Sequence, residues 1–157
     1  MEPGNRIELT RVLKAPPERV YFALTDARML ERWFPSRVES DVRVGGKVRF
    51  WFESLEKREG FQDHFRDGVF RELLPGKKVS YTFGLPEGET LVTWTLTPRG
   101  TGTELKLVHS GFGEGQIWRR LLDGHSGGWT FYLGNLAGVL AGEKDLRASG
   151  MGQRTVA

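Results

Sequence analysis

The sequence predicts an α+β domain in which a curved antiparallel sheet wraps around one long C-terminal helix, with two short helices after the first strand. Three observations carry the prediction. From Val38 to His109, apolar residues recur with a period of two in short runs separated by turns rich in Gly and Pro. Near the C-terminus the period becomes helical, and Trp129, Tyr132, Leu133, Leu136, Val139 and Leu140 fall on one face. The 157 residues also include ten Phe, five Trp and three Tyr. That much aromatic surface either fills a bulky core or lines a hollow.

The elements follow in order. Ile7 to Ala15 alternates and reads as a first strand, stopped by Pro16 and Pro17. Proline suits the first helical position because its missing N–H is not needed there, and Val20, Tyr21 and Leu24 continue a short helix to about Thr25. Asp26 is placed to cap a second helix, Ala27 to Phe34, which Pro35 ends. Val38, Ser40 and Val42 then alternate with charged neighbours, and 44–47 supplies a hairpin turn. Val48, Phe50 and Phe52 point one way, while Lys47, Arg49 and Trp51 point the other. A charged loop over 54–60 leads to a long strand from Phe61 to Leu74, in which Gly68 marks a bulge. Val79, Tyr81 and Phe83 form the inner face of the next strand, Val92, Trp94 and Leu96 that of the one after, and Leu105, Leu107 and His109 that of the last.

The closing helix is expected to start at Ser126, with the glycines of 124–128 turning a loop into it and Ser126 capping it. Its second face, Phe131, Gly134, Gly138 and Ala141, carries no charge. An interior glycine costs a helix about 1 kcal/mol relative to alanine. That face therefore suits an exposed surface, contact with the C-terminal tail, or a homodimer contact. Residues after about Glu143 read as a polar tail, and the whole chain reads as a single domain.

Composition narrows the function. Net charge is +3, with signs mixed along the chain and no Lys/Arg run fit to track a phosphate backbone, so nucleic acid is not an expected partner. The absence of cysteine removes disulfides, thiolate metal sites and a Cys nucleophile, and fits a cytoplasmic location. The N-terminus has no apolar signal region. The longest apolar stretch is about 13 residues against the roughly 20 a membrane span needs.

The chemistry-bearing motifs are few. Gly124-His125-Ser126-Gly127-Gly128 matches a hydrolase nucleophile elbow, but the preceding residues read as helix and no histidine follows the serine. The three histidines, His64, His109 and His125, have no metal-ligand spacing, and no metal or cofactor is expected. His109 shares a face with Leu105 and Leu107. It suits either a ligand contact or a core histidine satisfied by a neighbour. The aromatics offer the main clue: Trp33, Phe50, Phe52, Phe65, Tyr81, Phe83, Trp94 and Trp129 would line one hollow, with Leu133 and Leu136 from the helix. Arg49, Arg66 and Arg71 would reach a ligand carboxylate only if their strand faces turn inward.

Four passages carry a family resemblance: 15–26 (APPERVYFALTD), 30–35 (LERWFP), 41–47 (DVRVGGK), and the pair 109–112 (HSGF) with 125–129 (HSGGW). In order and spacing they resemble the SRPBCC or START-like superfamily, and within it bacterial relatives of the C-terminal domain of the heat-shock-protein-90 ATPase activator. The resemblance covers roughly residues 6–142. It implies a helix-grip fold and a cavity for a hydrophobic or amphipathic small molecule, without implying one activity. The expected function is therefore non-catalytic binding of such a molecule, with Tyr81 and His109 fixing its polar end. The alternatives are a cyclase- or hydrolase-like enzyme using His109 with a carboxylate such as Glu72, and a stress-related protein that contacts a chaperone.

Overall fold

The computed structural model describes residues 5–52 and 64–142. The loop expected over 54–60, the beginning of the strand expected from Phe61, and the tail expected after Glu143 lie outside the described residues. The elements are β1 (Ile7–Leu13), α1 (Pro17–Thr25), α2 (Ala27–Trp33), β2 (Arg37–Ser40), β3 (Lys47–Phe52), β4 (His64–Leu74), β5 (Lys78–Leu85), β6 (Gly88–Arg99), β7 (Gly102–Ser110) and α3 (Gln116–Leu140). The strands make one antiparallel sheet in the order β1-β7-β6-β5-β4-β3-β2. The sheet curves around α3, which is the helix-grip arrangement.

Local chemistry sets the short helices. Pro16 is extended and Pro17 opens α1. The Asp26 carboxylate accepts the Met29 N–H at 3.1 Å and caps α2. Long-range bonds then fix both helices on the sheet. The Trp33 indole N–H donates to the Ala23 carbonyl at 2.9 Å, Asn135 Nδ2 on α3 donates to the Trp33 carbonyl at 3.0 Å, and Thr103 Oγ1 donates to the Ala15 carbonyl at 2.7 Å. Each satisfies a backbone acceptor that would otherwise be buried unpaired.

Three local expectations change. First, α3 begins at Gln116, ten residues before Ser126. The turn read at 117–122 is its first part, and the helix runs on through Gly124, Gly127 and Gly128. Ser126 is therefore interior and caps nothing; its carbonyl accepts the Thr130 hydroxyl at 2.9 Å. The break falls at Gly115, whose φ of 106° ends the preceding loop. Packing against the sheet outweighs the low helix propensity of the glycines. Second, β2 stops at Ser40, and a loop over 41–46 replaces the tight hairpin; Val42 and Val44 are exposed on it. Third, the β4–β5 register shifts between Phe70 and Glu72, not at Gly68. Gly68 serves close approach instead: a Cβ there would lie 1.8 Å from the Thr82 carbonyl oxygen.

The core lies between α3 and the concave face. Val48, Phe50, Phe70, Val79, Tyr81, Val92, Trp94, Leu105 and Leu107 from the strands meet Trp33 from α2 and Leu133 and Leu136 from α3, all at 1% exposure or less. Among the described residues, no helix is long and apolar enough to cross a membrane.

Candidate ligand-binding pocket

Among the described residues, one end of this core does not close. Between β3, β4, the end of β5 and the middle of α3 lies a pocket with an apolar floor of Phe34, Phe52, Phe83, Trp129 and Tyr132. Its remaining lining is His64, Arg66, Gly124, His125 and Gly128. Room for water-sized molecules inside amounts to about 30 Å³, and the space between the side chains with the mouth counted is about 380 Å³. The first figure holds one or two waters. The second counts open solvent, so the enclosed space is well below the roughly 300–1,000 Å³ of sites for drug-sized molecules, and a larger ligand must lie partly in the mouth.

Phe34 is the hub. Its ring stacks on Trp129 at 4.9 Å and on Trp33 at 5.2 Å, and meets Phe50, Phe52 and Tyr132 edge-on at 5.0–5.3 Å. Phe34 follows the last turn of α2, where the helical period no longer assigns a face, so periodicity does not place it in the lining. The glycines make the space. Gly128 is buried, and a Cβ added to it would meet nothing within 4 Å. The side of α3 that faces the pocket is thus left without side chains at Gly124 and Gly128.

Of the expected ligand contacts, Phe52, Phe83 and Trp129 line the pocket. Trp33, Phe50, Tyr81, Trp94, His109, Leu133 and Leu136 are buried in the packed core beside it. Phe65 is a correction. It is half exposed on the convex face, where its ring lies 6.5 Å from Trp51 and 4.8 Å beneath the Arg49 guanidinium. Burial along β4 alternates so that His64, Arg66, Gly68 and Phe70 share the inner face, which puts Phe65 outside. The three candidate arginines divide by the same parity. Arg49 pairs with Asp67 on the convex face, Arg71 is exposed near Glu89, and only Arg66 reaches the pocket.

Tyr81 and His109 do not offer polar ends to a ligand, because both are used internally. The Tyr81 hydroxyl accepts the Trp94 indole N–H at 3.1 Å, and burial pushes its pKa up. His109 is fully buried. The Trp129 indole N–H, which can only donate, points at Nδ1 at 2.9 Å. Nδ1 is therefore the unprotonated nitrogen, and Nε2–H donates to Thr90 Oγ1 at 2.7 Å, whose own hydroxyl donates to the Phe83 carbonyl at 2.7 Å. Burial, and secondarily His125 nearby, hold the His109 pKa well below its ordinary value. Protonating Nδ1 would also set N–H against N–H. This neutral histidine joins α3 to the sheet. The carboxylate suggested as its partner, Glu72, is on the outside, paired with Lys78 at 3.0 Å.

His125 is the histidine at the pocket itself. Its Nδ1–H donates to the Leu121 carbonyl at 2.8 Å, one helical turn back. Burial lowers its pKa, with Arg66 and His64 adding to the effect, against the opposing influence of the Leu121 bond and Glu87. A second hollow, with about 260 Å³ of room for water-sized molecules against about 30 Å³ in the first, lies at the start of α3 beside Asn5, Phe112, Trp118 and Arg119. Its walls are largely polar, so it lacks the enclosing apolar surface typical of a ligand site. Among the described residues, no group of three His, Cys, Asp or Glu side chains is placed to hold a metal ion.

The fold recurs in solved structures. Protein MLL2253 from Mesorhizobium loti is 27% identical with a TM-score of 0.74, covering 88% of this chain and 98% of that one. Protein CV1439 from Chromobacterium violaceum is 35% identical with a TM-score of 0.71, covering 87% and 96%. The solution structure of the Aha1 dimer from Colwellia psychrerythraea is 23% identical with a TM-score of 0.69, covering 86% and 95%. No curated protein matches the sequence. The family described as activator of Hsp90 ATPase homolog 1-like protein matches residues 14–141, and the chain belongs to it.

Proposed function

We propose that this domain binds a hydrophobic or amphipathic small molecule in the pocket beside Trp129, without transforming it. The observation that carries the reading is the gap in α3. Two glycines line the pocket from inside a helix that each would destabilise by about 1 kcal/mol relative to alanine. A helix selected for stability alone would fill that space. Non-catalytic binding is supported by the use of both His109 nitrogens in the core and by the lining, which contains no carboxylate among the described residues.

The test is fluorescence of the neutral apolar dye N-phenylnaphthylamine, titrated with the protein. The wild type is expected to bind and enhance it. Gly128→Leu is expected to lose at least tenfold in affinity, since its side chain occupies the pocket. Gly127→Ala, on an exposed position with open space around it, is the control. It should bind like wild type and be more stable by up to about 1 kcal/mol. Equal dye binding by wild type and Gly128→Leu would place the ligand elsewhere, and no binding by the wild type removes the reading.

The face of α3 bearing Phe131, Gly134 and Gly138 is proposed as a self-association surface. Phe131 is half-buried and packs on Tyr132 at 5.3 Å, while Gly134 is exposed with nothing within 4 Å of an added Cβ. The Colwellia psychrerythraea protein of the same fold is a dimer. Sedimentation velocity should give a dimer for the wild type and a monomer for Gly134→Glu. A monomeric wild type at high micromolar concentration sinks the idea.

A further inference from the structure

The polar rim of the pocket is not neutral. Arg66 projects from the inner face of β4, opposite Phe50 on β3, and lines the pocket with His64 and His125. It is partly withdrawn from water, yet its one hydrogen bond among the described residues is from Nη1 to the neighbouring Phe65 carbonyl at 3.1 Å. Other arginines of the same region are treated differently by the fold. Arg49 is bound by Asp67 and Arg43 by Asp41, both pairs standing in solvent where an ion pair adds little. Of these three, Arg66 is the most withdrawn from water and has no ion pair among the described residues. Glu87, exposed on the β5–β6 turn, acts on Arg66 only through its field.

Burial opposes the charge on Arg66. A guanidinium taken out of water is stabilised when an anion completes its fork of donors. The apolar floor and the cationic rim are adjacent, so one molecule can meet both.

We propose that the pocket takes an amphipathic anion, its ring or chain on Phe34, Phe52, Phe83 and Trp129 and its carboxylate on the Arg66 guanidinium. This rests on the ligand-binding reading above and specifies the class of ligand. Arg66 is the residue that selects acids over their neutral counterparts, and its planar donor fork suits the two oxygens of a carboxylate.

The experiment displaces bound N-phenylnaphthylamine with a matched pair, naphthylacetic acid and naphthylacetamide, at pH 8 and low salt. The wild type should prefer the acid by at least about tenfold, as a charge-assisted pair partly shielded from water outweighs a neutral one. In Arg66→Met the acid-to-amide ratio should collapse to about one. Arg66→Lys should keep a reduced preference, since it retains charge but not the fork. Circular dichroism of each variant confirms the fold. A wild type that binds the dye but takes acid and amide equally overturns the anion assignment and leaves the pocket reading standing. A preference that survives in Arg66→Met shows that another group holds the acid, and also overturns it. Failure of the dye itself to bind overturns both.

Discussion

Trp129→Ala is expected to lower folding stability by about 3–5 kcal/mol, the range for removing a large buried aromatic. The indole is 3% exposed, stacks on Phe34 at 4.9 Å and meets Trp94 edge-on at 5.4 Å. Its loss would also leave the His109 Nδ1 acceptor buried without its donor. Trp129→Phe isolates that second effect. It keeps most of the ring area and forfeits the hydrogen bond, so about 1–3 kcal/mol is expected, the desolvation penalty of an unsatisfied buried group. Urea unfolding at pH 8 measures both. A loss under about 1 kcal/mol for Trp129→Ala would mean that α3 is not held to the sheet through this residue.

Acid should destabilise the protein earlier than carboxylate titration alone would. His109 is buried and neutral, with its pKa held well below the ordinary histidine value, and His125 is shifted in the same direction. In the unfolded chain both recover a pKa near 6.5. Below that pH the unfolded state binds more protons than the folded state, so stability falls as pH falls. It is level above about pH 7 with respect to these groups, and declines below 6.5 by up to about 1.4 kcal/mol per pH unit for each histidine, until the folded-state pKa is reached. His109→Gln should remove its share of the slope. An amide can accept from Trp129 and donate to Thr90 without titrating. The measurement is the denaturant midpoint from pH 8 to pH 5. A variant with the wild-type slope would show that His109 does not carry the acid sensitivity.

These effects converge on His109 and Trp129, and the sequence showed only part of why. Alternation placed Leu105, Leu107 and His109 on one face, and helical period placed Trp129 toward the sheet. Both assignments hold because burial on a given face is a local property of the pleat or the helix. That the two rings would share a hydrogen bond depends on β7 lying under the middle of α3. The pocket was harder still to read. Phe65 was assigned to the lining because it is aromatic, while the parity of β4 turns it outward and brings His64 and Arg66 in. Counting back by twos from Phe70 would have found both, but Gly68 suggested a bulge and left the count uncertain. His125 was read as part of a loop with a hydrolase look. It is a helical residue bonded to the carbonyl of Leu121, four positions back.

By itself the sequence determined the order and kind of the elements, the proline start of α1, the Asp26 cap of α2, and most of the residues that face inward. Those follow from interactions between near neighbours along the chain. Only the tertiary structure decided that β1 pairs with β7 at the edge of the sheet, that Tyr81 and His109 are hydrogen-bonded within the core, and that the open space lies next to Gly128 and Arg66. The reason is physical. Periodicity reports that a face is covered, but whether it meets packed side chains or a cavity depends on contacts between segments far apart in the chain.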